Sequence, residues 1–154
     1  MGQAARRRDG RGFTLVELVI AVAILGVLGA LTVTQYLAYI DRVRVARAVI
    51  ELKDISAQLD PIAFDGGALP NTLADIGLGG RTDPWGRPYE YLRIQGAPGW
   101  RVRKDQFLVP LNSDYDLYSR GKDGFSQPRI THSFSLDDVI RGNDGAFLGL
   151  AAKY

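Results

Sequence analysis

Residues 13–40 read FTLVELVIAVAILGVLGALTVTQYLAYI and carry a single charged side chain, that of Glu17. A helix over these residues is apolar on every face, and about 20 apolar residues are enough to cross a bilayer. Four arginines precede the stretch, so the positive-inside bias predicts a cytoplasmic N-terminus with the remainder of the chain on the far side of the membrane. Glu17 therefore needs a cationic partner, because an unpaired carboxylate is costly in apolar surroundings.

The pattern changes at residue 41 without any helix breaker. Apolar residues then recur at spacings of three and four, and charged residues fill many of the other positions. This periodicity is typical of an amphipathic helix, and Pro61 marks its end. We therefore expect one helix over residues 13–60, about 70 Å long at 1.5 Å per residue. Its membrane-spanning half covers 13–40 and its amphipathic half covers 41–60.

Residues 61–154, which we call the head, are rich in glycine and proline and predict a small α+β unit of three or four antiparallel strands packed on the amphipathic half. The clearest strands are 89–94 and 116–119, because their residues alternate or are bounded by turn signals. Weaker strand candidates are 100–103 and 106–109. Short helices are expected at 71–76 and from 135 or 136 to 141. The expected fold class is thus α+β, with a long N-terminal helix on a small sheet.

Composition excludes several classes of function. The chain has no cysteine and one histidine, His132, which argues against a thiol nucleophile or a zinc site, and it has no phosphate-binding glycine loop. We therefore expect no enzymatic activity. The net charge of +2 comes from residues 1–12, which hold four arginines and one aspartate; the rest has 15 basic and 16 acidic residues. Nucleic acid is therefore not expected as the primary partner.

Acidic residues gather in the C-terminal third beside turn-forming glycines. They are Asp114, Asp116, Asp123, Asp137, Asp138 and Asp144. Calcium takes six to eight oxygen ligands from carboxylates and carbonyls on sharply turning backbone. Aspartates also cap helices and stabilise turns without any metal, so the residues alone leave both interpretations open.

The sequence RGFTLVEL at 11–18 closely resembles the processing signal of type IV pilins and type II secretion pseudopilins. The resemblance implies that a prepilin peptidase cuts between Gly12 and Phe13 and removes residues 1–12 as a basic leader. Phe13 would then carry an N-methylated amine. Glu17 would be the fifth residue of the mature chain, where it pairs with the mature N-terminus of a neighbouring subunit.

The head carries a second resemblance. The segments DPWGRPYEY at 83–91 and DYDLYSRGKDG at 114–124 are similar to the major pseudopilin of type II secretion. That family holds a calcium ion in its C-terminal loop, which corresponds here to residues 117–138. The resemblance implies that the ligands are the backbone carbonyl of Arg120 and the carboxylates of Asp123, Asp137 and Asp138. Residues 142–154 extend beyond the usual pseudopilin tail, which leaves a pilin branch open.

These resemblances predict a structural subunit of a type II secretion pseudopilus or a type IV pilus-like filament. The expected partners are identical subunits, the prepilin peptidase, an inner-membrane assembly platform, and minor pilins or pseudopilins. The subunit would first lie in the bacterial inner membrane with its head in the periplasm, and then in a periplasmic pseudopilus or an extracellular pilus. The alternative is a single-pass anchor that does not polymerise, with a head that binds carbohydrate or DNA through Trp85, Tyr89 and Trp100.

Overall fold

The computed structural model describes residues 12–154, so the predicted leader lies outside the described residues except for Gly12. The chain forms two compact units. The first ends at Ile40 and the second comprises Asp41–Tyr154. The boundary between them falls where the sequence changes from uniformly apolar to amphipathic.

The long helix, α1, comprises Leu15–Phe64. It continues past Pro61, so the end predicted at residue 60 was four residues too early. Proline removes only one helical hydrogen bond, and the helix completes its last turn when the Asp65 amide donates to the Pro61 carbonyl at 3.0 Å. Gly66 follows with a φ of 67°, the left-handed conformation that commonly ends helices.

The sheet has four antiparallel strands in the order β1-β2-β3-β4, so each strand pairs with the next in sequence. The strands are β1 (Glu90–Arg93), β2 (Tyr115–Ser119), β3 (Val139–Gly142) and β4 (Phe147–Leu150). The two strongest strand predictions, 89–94 and 116–119, are confirmed by β1 and β2. The predicted helix at 71–76 is confirmed as a short 3₁₀ helix, Leu73–Ile76, with Thr72 as its cap. The α+β, pilin-like fold class is confirmed as well.

The amphipathic part of α1 forms the main core with one face of the sheet. Helix residues at spacings of four, three and four are fully buried there: Ala48, Leu52, Ile55 and Leu59. They belong to one hydrophobic cluster with Tyr115, Leu117 and Val139 of the strands. Each fully buried aliphatic side chain contributes about 1.5–3 kcal/mol to folding, so this contact fixes the sheet on the helix.

Strand β3 lies where the sequence predicted the last short helix, and that prediction was wrong. All four residues of β3 are buried. Val139 faces the α1 core, whereas Ile140 belongs to a second cluster with Leu111, Ile130 and Ala151. A strand covered on both faces lacks the polar-apolar alternation that identifies strands in a sequence. Strand β4, which the sequence did not predict, contributes to this second cluster through Phe147.

Two loops of the head contain the same kind of turn. One of them lies at residues 106–109, where the sequence predicted a weak strand, and that prediction was wrong. The Asp83 carboxylate accepts from the amides of Trp85 and Arg87 at 3.0 and 2.9 Å. Asp105 in the same way accepts from the amides two and four residues later, at 2.8 and 2.9 Å. Residues 106–109 therefore lie in a turn and not in a strand, and residues 100–102 form a turn and a bend instead of the strand predicted there. Aspartate side chains commonly stabilise such turns by bonding to backbone two residues ahead.

Candidate functional site: the N-terminal segment and loop 117–138

The predicted cleavage site lies ahead of α1. Gly12 and Phe13 belong to no helix or strand and are exposed, Phe13 to 87%. The peptide bond between them is therefore open to solvent in the single subunit. Cleavage and N-methylation at this position stay predictions.

Glu17 and Thr14 form a capping box at the start of α1. The Glu17 Oε2 atom accepts hydrogen bonds from the backbone amide and the hydroxyl of Thr14, both at 2.9 Å. The Glu17 amide in turn donates to the Thr14 hydroxyl oxygen at 3.2 Å. Among the described residues, Glu17 therefore has two hydrogen-bond donors and no positively charged partner. The spacing T-x-x-E is a known capping signal, so this pair could have been predicted from the sequence.

The helix after Glu17 has an unpartnered apolar surface. Every residue from 12 to 39 is exposed, including large side chains such as Leu25, Leu28 and Leu31. This part of α1 is long and apolar enough to cross a membrane. A Cβ atom added at Gly26 or Gly29 would have no neighbour within 4 Å. Small residues at these positions allow another helix to approach closely.

Loop 117–138 brings three of the four predicted metal ligands into one turn. The Arg120 carbonyl accepts from the Gly124 amide at 3.2 Å, and the Asp123 Oδ1 atom accepts from the Phe125 amide at 2.7 Å. Asp137 closes the turn, because its Oδ2 atom accepts from the amides of Lys122 and Asp123 at 2.7 and 3.0 Å. One oxygen of each of these three residues thus already accepts at least one hydrogen bond from a backbone amide.

Asp138, the fourth predicted ligand, has different partners. It is fully buried, and its Oδ2 atom lies 2.7 Å from Nη2 of Arg103, which is itself only 2% exposed. The Ser126 hydroxyl donates to the same oxygen at 2.6 Å. Burial raises the pKa of the Asp138 carboxyl to about 6, and the charge of Arg103 opposes that rise. The Arg103 guanidinium also stacks on the ring of Tyr118, 4.1 Å from its centroid.

The remaining acidic residues of the C-terminal third do not join this loop. Asp114 pairs with Arg141, Asp116 accepts from the Arg103 amide, and Asp144 accepts from Ser113. Within residues 12–154, no three acidic or histidine side chains lie where they would share a metal ion. The donor set as it stands does not fit calcium, since the Asp138 carboxylate already binds a buried cation. The calcium ligand set stays a prediction.

The residues of the ligand-binding alternative are not brought together either. Tyr89 is buried and donates to Glu51 at 2.7 Å, Trp85 packs against the α1 core, and Trp100 is 74% exposed. The three line different hollows of the surface. His132 is exposed and accepts the Phe134 amide at 3.3 Å, which caps a short 3₁₀ helix. Tyr89, Trp85 and His132 thus stabilise the fold of the head through packing and hydrogen bonds.

Two arginines are buried in positions that the sequence did not predict, Arg103 and Arg141. Arg103 lies in a segment that we expected to be a weak strand, and Arg141 lies where we expected a helix. Arginine is rarely buried, so nothing in its local sequence indicated an internal position. One signal was the cluster of aspartates in the same third of the chain, because buried arginines as well as a metal ion can balance buried carboxylates.

Comparison with known proteins identifies the N-terminal segment first. Residues 7–33 match the family model of the prokaryotic N-terminal methylation motif. The chain is 41% identical over 74 residues to a fimbrial protein of Pseudomonas aeruginosa, which covers 44% of this chain and 48% of that protein.

Longer matches extend into the head. The chain is 34% identical over 140 residues to the type II secretion system core protein G of Pseudomonas aeruginosa, covering 77% of this chain and 88% of that protein. It is 30% identical over 125 residues to the protein of the same name from Dickeya chrysanthemi, and this match covers 76% of this chain and 80% of that protein. No solved structure matches the chain significantly.

Proposed function

The chain belongs to the family of the type II secretion system core protein G, the major pseudopilins, and is a subunit of a pseudopilus or pilus-like filament. We propose that the subunit assembles through α1 and that Glu17 pairs with the mature N-terminus of a neighbouring subunit. We propose further that it is a structural protein without catalytic activity. The family relationship favours this function over that of a membrane-anchored module that does not polymerise.

The exposed apolar surface of residues 13–39 carries the proposal. A surface of that kind is stable only in lipid or against other apolar helices. Both environments are available to a filament subunit, which is stored in the membrane and then moves into a core of identical helices. Contacts between unlike surfaces of identical subunits do not close on themselves, and so they produce a fibre.

Glu17 supplies the register of that fibre. In the single subunit the carboxylate accepts two hydrogen bonds from Thr14. Cleavage between Gly12 and Phe13 creates a charged amine, which is a stronger partner because it offers a full positive charge. Only a neighbour displaced by one particular axial step brings its amine to this carboxylate. The unpaired alternatives are disfavoured in a core of low dielectric constant.

The same argument defines the partners and the location. We propose that the subunit spans the inner membrane once, with its N-terminus in the cytoplasm and its head in the periplasm. A prepilin peptidase would remove residues 1–12, and an inner-membrane platform with minor pseudopilins would start assembly. A secretion pseudopilus is favoured over an extracellular pilus, because the secretion proteins match most of the chain whereas the fimbrial protein matches under half of it.

The experiment replaces Glu17 by glutamine, which keeps the size of the side chain and removes its charge. The variant Glu17→Gln is expected to insert into membranes and to be cleaved normally, but to give no filaments. Thr32→Val is the matched control: its hydroxyl bonds within α1, to the Leu28 carbonyl at 2.8 Å, and it should assemble. Mass spectrometry of both proteins checks for methylated Phe13. Filaments of Glu17→Gln at the control yield would refute the pairing.

A further inference from the structure

Arg103 holds together three separate segments of the head. Its guanidinium binds the carboxylate of Asp138 through Nη2 and the hydroxyl of Ser126 through Nη1, at 2.7 and 2.5 Å. Its own backbone amide donates to the carboxylate of Asp116 in β2 at 2.8 Å. One side chain therefore connects the segment before β2, the middle of loop 117–138 and the entry to β3.

The bond between Ser126 and Asp138 makes this arrangement a closed triangle. The Ser126 hydroxyl donates to the same Asp138 oxygen that accepts from Arg103. Asp138 is fully buried and Arg103 is 2% exposed, so solvent screens neither charge. A guanidinium stays protonated under all ordinary conditions, and it suits buried carboxylates because it is planar and weakly hydrated. The ring of Tyr118 covers its face.

A bound calcium ion would connect the same segments of the head that Arg103 connects. It would connect the turn at 120–124 to Asp137 and Asp138, and so fix both ends of the loop. Here the two ends are already fixed by different means. The amides of Lys122 and Asp123 hold Asp137, and Arg103 holds Asp138.

The second carboxylate oxygen of Asp138 is poorly placed to bind a metal ion. Its Oδ1 atom is buried and has no hydrogen-bond partner among the described residues, which is a feature that a metal ligand would share. A divalent cation at Oδ1 would lie beside the guanidinium bound to Oδ2 of the same carboxylate. Like charges at such a distance repel strongly when both are buried.

We propose that loop 117–138 is closed without a metal ion and that Arg103 is its internal cation. The charge of Asp138 is balanced by a side chain of the same subunit. The stability of the head is then independent of calcium in the surrounding medium. This inference concerns the head alone, and it holds whether or not Glu17 directs assembly.

Thermal unfolding of the full chain in a non-ionic detergent tests the proposal. The unfolding of the head is followed in EGTA, in about 10 mM calcium chloride, and in sodium chloride of equal ionic strength. A calcium site with a Kd of about 10⁻⁴ M, as in extracellular modules, would raise the midpoint by about 10 °C. We expect midpoints that agree within about 1 °C, a shift too small for such a site. A rise of several degrees in calcium alone, reversed by EGTA, would overturn the proposal.

A pair of variants tests the role of Arg103 itself. Arg103→Met keeps the length of the side chain and leaves Asp138 buried without a cation, so the midpoint should fall by about 10 °C or more in every buffer. Arg101→Met, two residues earlier at an exposed position, is the matched control and should change the midpoint by no more than about 2 °C. The double variant Arg103→Met/Asp138→Leu should recover part of the loss, because it removes the stranded charge. Equal midpoints for Arg103→Met and Arg101→Met would contradict the assignment.

Discussion

Asp60, near the end of α1, and Arg141, in β3, form an ion pair with an Oδ1–Nη2 distance of 3.1 Å although 81 residues separate them. The same guanidinium binds both carboxylate oxygens of Asp114 at 2.8 Å and stacks on the ring of Tyr115 at 3.9 Å. The Tyr115 hydroxyl donates to Asp60 in turn, at 2.5 Å. One arginine therefore ties the helix to two neighbouring strands.

The first prediction concerns the unequal burial within this pair. The side chain of Arg141 is 1% exposed and that of Asp60 is 44% exposed. Arg141→Met should lower the free energy of unfolding by about 3–5 kcal/mol, because it removes the donor to the half-buried Asp114 carboxylate and to the buried oxygens of Asn112 and Tyr115. Asp60→Asn should cost no more than about 1 kcal/mol, since its pair is partly solvated. Chemical denaturation of the full chain in detergent measures both, and similar losses would show that the burial argument fails.

The second prediction uses the repeated turn. Gly86 has a φ of 86° in the first copy, and Leu108 has a φ of 64° at the matching position of the second. A side chain in this left-handed region costs about 1–2 kcal/mol. Leu108 is 59% exposed, so little packing is lost on its removal. Leu108→Gly should therefore stabilise the head by about 0.5–1 kcal/mol after the entropy cost of glycine.

Gly86→Ala is the matched control for that change. It places a side chain in the strained conformation that Leu108→Gly relieves, and it should destabilise by about 1 kcal/mol or more. Denaturation midpoints of the two variants should move in opposite directions. A loss of stability in Leu108→Gly would mean that its exposed side chain makes a contribution larger than its backbone strain.

These contacts show which parts of the fold the sequence predicts. The periodicity of α1 and the bounded runs at β1 and β2 are local signals, and they identify those elements correctly. Strand β3 has no such signal, because it is covered on both faces and contains the buried Arg141. Its conformation depends on residues far away in the chain. The sequence predicted a small antiparallel sheet, but it did not predict the order of the strands.

The candidate site divides in the same way. Glu17 is prominent because it is the only charge in an apolar stretch, and its own partner Thr14 follows from a three-residue spacing. The destinations of the C-terminal aspartates are not local. Asp138 pairs with a residue 35 positions earlier, so no spacing pattern near loop 117–138 reveals that Arg103 occupies its carboxylate.

The third prediction is a loss of stability at alkaline pH. Burial, together with the hydrogen bond to Asp60, raises the pKa of Tyr115, and burial with the bond to Glu51 raises the pKa of Tyr89. An unfolded tyrosine titrates near pH 10. Folding therefore favours the protonated forms, and their contribution to stability is complete below about pH 10 and is lost as the pH rises above it.

Unfolding free energies measured between about pH 8 and pH 11.5 test this dependence. Each of these tyrosines should contribute a slope of up to about 1.4 kcal/mol per pH unit to the fall of the wild-type value. Burial also raises the pKa values of Tyr91 and Tyr118, which add to the wild-type slope. Tyr115→Phe removes one titrating group, so its curve should start lower and fall less steeply above pH 10. Parallel curves for the two proteins would show that Tyr115 does not contribute to the alkaline transition.

The fourth prediction concerns the capping box of Thr14 and Glu17. Thr14→Val keeps the shape of the side chain and removes the hydroxyl that serves both as donor to Glu17 Oε2 and as acceptor for the Glu17 amide. Loss of a helix cap weakens the first turn, so the Glu17 amide should exchange with deuterium about fivefold faster in the detergent-solubilised subunit. Thr14→Ser retains the hydroxyl and should exchange at the wild-type rate. If Thr14→Val exchanged as slowly as Thr14→Ser, the first turn of α1 would be held by something other than this pair.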